Sequence, residues 1–300
     1  MIICDTHADT LFQMVCEPEA ALDVTLERLQ AGGVSLQVLA MFVGMDNEPD
    51  KIRRRFEAML LAYEGLLAQG WQQAMDPGEA REGVVKTLLS VEGCEIFEPG
   101  LEVIAEYREK GVRMAAPTWN YENALGVPAS VNADQGLKPY GLAAVKEMQR
   151  LQIAVDVSHL NIAGFYDILN KTNAPPLASH SCCRKLRDHP RNLTDRQLKD
   201  LFAAGGFVGL NFYPSFLVEA GQPCGIDDLI NHIDHMHQLG GQGMVGFGSD
   251  FDGISTKPQG LENPADFPAL IKGLRERGYQ ENEVESIAGK ALLDYYRRLA

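Results

Sequence analysis

Short apolar runs alternate with longer stretches whose apolar residues recur at helical spacing, along nearly the whole chain. Eight runs read as strands: residues 2–5, 34–42, 87–92, 113–118, 153–156, 177–179, 207–211 and 244–248. Between them, residues 49–69 carry Phe56, Met59, Leu60, Tyr63 and Leu67 at helical spacing, with Pro49 suited to a first turn. Further helices are expected over 101–110 (Gly111 following as its stop), 141–151, 194–202 (Thr194 as N-cap), 226–239 and 281–298. Strands alternating with helices mark a parallel α/β fold. Eight such units in 300 residues predict a closed (β/α)₈ TIM-like barrel forming a single domain over 1–300. A doubly wound open sheet is the structural alternative. Residues 119–140, rich in Asn, Gly and Pro, are expected to form a long loop over the site.

In a barrel of this kind, functional side chains sit at the C-terminal ends of strands. The first strand runs into His7 and Asp9, which share one side of an extended chain. Glu92 ends the third, His159 follows the fifth, His180 ends the sixth, and Asp250 and Asp252 follow the eighth. Singly, each has a plainer reading as a hydrogen-bonded strand-end residue or a cap. Jointly, three imidazoles and several carboxylates converge on one rim. Such a set can bind two divalent ions, with zinc suited to imidazole, and a carboxylate can bridge them. Two ions generate hydroxide near neutral pH and polarise a carbonyl, and a spare carboxylate can move protons. Asp250 is the candidate for that work. His232, His235 and His237 fall in a helical pattern and His189 precedes a proline, so packing or loop roles are expected for them.

Charge narrows the partners. With 41 acidic and 27 basic residues, the net charge of −14 disfavours nucleic acid and anionic membrane surfaces. No apolar run of transmembrane length occurs. The N-terminus has no basic region followed by a long apolar stretch, so a chain without a secretory leader is expected. Six cysteines without CxxC spacing, two of them adjacent, fit free thiols in the cytoplasm.

The set Asp5-Thr-His7-Ala-Asp9, Val91-Glu92-Gly93, Asp156-Val-Ser-His159, Ser179-His180-Ser181 and Gly248-Ser-Asp250-Phe-Asp252-Gly253 resembles the membrane (renal) dipeptidase family of zinc peptidases, in family order. The run from Leu26 through Gly32-Gly33-Val34 to Gln37 is similar to that family's second strand. The resemblance implies an amidohydrolase-like barrel that hydrolyses small dipeptides, including L-Xaa-D-Xaa, with two zinc ions and a metal-bridging hydroxide. It implies that His7 and Asp9 hold one ion, His159 and His180 the other, and that Glu92 bridges them. Arg191 then holds the substrate carboxylate, Asp250 transfers the proton, and Tyr213 lies near the pocket. A homodimer is compatible with it, and the missing anchor signals point to the family's soluble microbial branch. One position departs from the pattern: Trp119 stands where the family has a substrate-contacting histidine. Either its Nε1 or Asn120 is then expected to supply that hydrogen bond, or the role is lost. Two other readings follow: an amidohydrolase acting on cyclic amides, lactones or esters, and a catalytically impaired homologue that only binds.

Overall fold

The computed structural model describes residues 1–45, 48–131, 134–173 and 175–299. Among these residues nine strands form, all parallel: β1 (Ile3–Asp5), β2 (Val34–Phe42), β3 (Gln72–Gln73), β4 (Lys86–Glu92), β5 (Val112–Ala116), β6 (Ala154–Val155), β7 (Leu177–Ser181), β8 (Phe207–Leu210) and β9 (Val245–Phe247). Their order is β6-β5-β4-β2-β1-β9-β8-β7, with β3 attached to the side of β4. The two ends of this path meet: Asp156 bridges Leu177 in parallel register, and the Val157 N–H donates to the Leu177 carbonyl at 2.8 Å. Eight strands therefore curl into the expected TIM-like barrel.

The predicted strands lie within a few residues of the observed ones. β3 was not expected, being two polar residues with no periodicity. Nor were the helices Thr10–Cys16, Leu26–Ala31, Ile162–Lys171 and Phe267–Arg277. The helix expected over 281–298 is interrupted by a π turn at Ser286–Lys290. There a side chain on Gly289 would collide with the Ile2 carbonyl and Cys4, so the wider turn lets the chain approach β1. Between β5 and the helix Pro139–Arg150, the described residues form loop with isolated bridges only, as expected for 119–140; residues 132 and 133 lie outside the described set.

One end of the barrel is closed. Cys4, Leu36, Leu88, Met114, Ala154, Leu177 and Phe207 form a cluster with Leu292, Tyr295 and Tyr296 of the helix Ala291–Leu299. Tyr296 hydroxyl donates to the Arg113 carbonyl at 3.2 Å, which pins the helix there. A larger apolar cluster fills the space between the barrel and the other helices. His232 belongs to this packed layer, as expected. Its Nδ1 accepts from the Cys183 N–H and its Nε2 faces the Leu217 carbonyl, and burial lowers its pKa to about 4. The open rim lies at the C-terminal strand ends. Close approach of segments there depends on two glycines: side chains at Gly209 or Gly248 would strike the Ser179 carbonyl, onto which Thr6 donates across the barrel at 2.5 Å.

Candidate active site

Two buried aspartates organise the rim. Asp5 ends β1 and accepts from the N–H of His7 at 3.4 Å and of Ser249 at 2.8 Å, tying the exits of β1 and β9. Asp156, just past β6, accepts from the N–H of Ser158 at 2.9 Å, the N–H of Ser179 at 3.0 Å and the Ser179 hydroxyl, tying the exits of β6 and β7. His7 and Asp250 leave the first junction, and His159 and His180 leave the second. Their directions are therefore set by hydrogen-bonded backbone.

The histidine tautomers follow. With the Ser179 hydroxyl committed to Asp156, Ser179 Oγ accepts from His180 Nδ1 at 2.7 Å. Asn120 Oδ1 accepts from His159 Nδ1 at 3.1 Å. Both rings then present bare Nε2 lone pairs, 3.0 Å apart. Supporting partners of this kind fix metal-binding imidazoles.

Glu92 divides its two oxygens between the histidines. Oε1 lies 2.7 Å from His159 Nε2 and 3.6 Å from His180 Nε2, whereas Oε2 lies 3.6 Å from His7 Nε2. His7 Nε2 is also 3.6 Å from Asp9 Oδ2 and 3.9 Å from Asp250 Oδ1. Buried His7 Nε2 and Asp9 Oδ1 have no hydrogen-bond partner among the described residues. Two metal-competent groups result, His7–Glu92–His180 and His7–Asp9–Asp250.

The charges are unbalanced in the same sense. Among the described residues lining the cavity, Asp9, Glu92 and Asp250 share one buried guanidinium, that of Arg191. Burial alone would depress His7, but Glu92 and Asp9 outweigh it and hold the ring well above its ordinary pKa. Burial pushes Asp250 up to about 7, reinforced by Asp9 and Glu92. His159 is lowered to about 4 by burial and then by Arg191, and burial also lowers His180. Two neutral imidazoles, a third drawn toward protonation and three crowded carboxylates are a donor set that fits divalent cations.

Asp250 sits on a strained turn, with φ +66°. Asn211 Nδ2 donates to its Oδ2 at 2.9 Å, and Asn211 Oδ1 accepts from the Tyr213 N–H at 2.6 Å. A side chain on Gly253 would lie 2.1 Å from Asp9 Oδ2 and 2.8 Å from Asp250 Oδ1, so only glycine leaves room for both carboxylates. Asp252, also at positive φ (+64°), turns away from the cluster and accepts from Thr10 Oγ1 at 2.6 Å.

A cavity of about 830 Å³ opens over these groups, and Arg191, Tyr213, Trp119 and Asn120 all reach it. Arg191 Nη2 lies 2.9 Å from His159 Nε2, while its buried Nη1 has no partner among the described residues. Asn120 uses its side-chain oxygen to position the His159 ring. Sequence reasoning assigned no role to Asn211, Ser179 or Gly253 and treated Asp5 and Asp156 only as motif letters. Their contacts join segments as far as 244 residues apart, and no local spacing encodes that.

Residues 1–298 match the family described as membrane dipeptidase, peptidase family M19. The chain belongs to this family. An uncharacterized dipeptidase of Schizosaccharomyces pombe is 37% identical over 222 residues, covering 72% of this chain and 53% of that protein. The chain spans about half the length of the fission-yeast relatives it matches. A metallopeptidase from Rhodobacter sphaeroides, crystallised with a phosphinate mimic of the dipeptide L-Ala-D-Ala, superposes with a TM-score of 0.91 at 27% identity, covering 100% of this chain and 99% of that one. A probable dipeptidase from Pseudomonas aeruginosa has a TM-score of 0.91 at 18% identity over 100% of this chain and 95% of its own, and shows the shared fold. Within this family's barrel, the His/Asp/Glu cluster is a binuclear metal-binding site.

Proposed function

We propose that this chain is a zinc-dependent dipeptidase whose whole length acts as one barrel unit. The observation that carries the reading is the division of Glu92, one oxygen toward His159 and His180 and the other toward His7. That is the disposition of a carboxylate shared between two ions. The metallopeptidase bound to a dipeptide mimic supports the substrate class.

In this reading His7 and Asp9 would hold one ion, His159 and His180 the second, and Glu92 would serve both. When bound, the two ions lower the pKa of water and polarise the scissile carbonyl. Arg191 receives the substrate carboxylate through its uncommitted Nη1, in a charge-assisted hydrogen bond. Asp250, held through Oδ2 by Asn211, accepts the proton of the attacking water at Oδ1 and returns it to the departing amine nitrogen. Tyr213 lines the same cavity. The six cysteines are unpaired, which supports a reducing cytoplasmic setting; no described helix is long and apolar enough to cross a membrane. Homodimer formation is carried over from the family resemblance alone.

The test compares a dipeptide with its C-terminal amide, using zinc-loaded and chelator-stripped protein. Losing a hydrogen bond to a charged group costs roughly 1.5–3 kcal/mol, so kcat/KM for the amide should fall roughly 10–150-fold. The stripped protein should turn over neither. Equal rates for acid and amide would contradict the role of Arg191 and favour a hydrolase of neutral amides or esters.

A further inference from the structure

We propose that Trp119, together with Phe42 and Phe12, forms a specificity wall that selects apolar, preferably aromatic, side chains at the amino-terminal residue of the substrate. This inference rests on the dipeptidase reading and adds the substrate class.

The rings form a continuous series. Phe12 and Phe42 have centroids 4.7 Å apart, Phe42 and Trp119 4.6 Å in an edge arrangement, and Trp119 and Tyr121 5.5 Å. Phe12, Phe42 and Trp119 line the cavity, and Tyr121 is exposed beyond them. They come from separate segments: Phe12 from the helix Thr10–Cys16, Phe42 from the last position of β2, and Trp119 from the loop after β5. Edge-to-face packing of this kind holds a wall in place before any ligand arrives.

Topology says which part of a substrate meets it. Arg191 follows β7, and β2 lies four strands from β7 in either direction around the closed barrel. Phe42 pairs in register with Glu92, and Trp119 lies 6.3 Å from His159, centroid to centroid. A dipeptide with its carboxylate on Arg191 and its scissile bond beside Glu92 must therefore direct its amino-terminal residue toward the aromatic side. Besides Arg191, the cavity is lined by the cation Lys257, which is already paired with Asp23 at 2.5 Å. No unpaired basic group among the cavity-lining residues there awaits an acidic side chain. Trp119 offers no charge and no proton acceptor, only a large apolar surface with one N–H. Burying a phenylalanyl in place of an alanyl side chain against such a surface should raise kcat/KM roughly 10–100-fold.

The experiment measures kcat/KM of the zinc-loaded protein for dipeptides with Phe, Leu, Ala, Lys or Glu first and one common second residue, for wild type, Trp119→Ala and Phe12→Ala. Wild type should prefer Phe and Leu over Ala, Lys and Glu by about tenfold or more. The Phe:Ala ratio should fall about tenfold in Trp119→Ala and by a smaller factor in Phe12→Ala. A flat wild-type profile, or one led by Lys or Glu, overturns the inference and leaves the dipeptidase reading standing; the wild-type arm decides this even where a variant fails to fold. No hydrolysis of any dipeptide by protein holding two zinc ions overturns both.

Discussion

Asp250→Asn should lower kcat by about 10²–10⁴-fold, the range typical of losing a general acid–base. The substitution is nearly isosteric, and the surroundings dictate how the amide will sit. Asn211 Nδ2 donates to Asp250 Oδ2, so the new carbonyl oxygen must take that position. The amide nitrogen is then left at the Oδ1 position, 3.9 Å from His7 Nε2, where a proton would have to be accepted. An amide nitrogen has no basic lone pair to offer. The backbone strain at φ +66° is unchanged, and asparagine tolerates that region as well as aspartate does. Turnover measured at saturating zinc, with metal counted on the same sample, separates loss of proton transfer from loss of an ion. Wild-type turnover with both ions retained would remove Asp250 from the reaction.

Glu92→Gln should have an effect of comparable or greater size, but through metal content. The carboxylate serves three imidazoles: Oε1 lies 2.7 Å from His159 and 3.6 Å from His180, and Oε2 lies 3.6 Å from His7. Glutamine keeps one oxygen and turns an NH₂ toward the other group. Whichever rotamer it adopts, one of the two proposed ion positions would face an NH₂ donor where it needs an anionic oxygen. Zinc affinity should fall by more than the ~10–100-fold that changes in supporting partners cost. Zinc per chain, by elemental analysis after dialysis, should drop from two to one or fewer. Two ions retained with full activity would show that Glu92 is not shared.

The barrel was legible because its strands are apolar runs separated by helices long enough to cross over, a pattern that composition and period reveal together. The helices that escaped notice have local reasons. Thr10–Cys16 is only 7 residues and begins directly after Asp9, so the metal motif masks its start. Phe267–Arg277 carries Pro268 in its first turn, a residue that reads as a breaker unless the boundary is known. At the site, His7, Asp9, Glu92, His159, His180 and Asp250 stood out because each closely follows an apolar strand. Asp5, Asp156, Ser179 and Asn211 did not, because their contribution lies in hydrogen bonds between strand exits that adjoin only in the closed barrel. Asn120 shows the same limit from the other side. Sequence order suggested that it donates to substrate, and gave no sign that its oxygen fixes the tautomer of His159. In a linear comparison Trp119 is only a departure from the family's histidine; in three dimensions its ring packs in series with Phe42 and Tyr121.

Every role proposed for the rim depends on two cations sharing Glu92. Anomalous diffraction at the zinc edge from crystals of the zinc-loaded protein tests it most directly. Two peaks roughly 3.5–4 Å apart are expected, one among His7, Asp9 and Glu92 and the other among Glu92, His159 and His180. A single peak, or peaks that leave Glu92 uncoordinated, would contradict it.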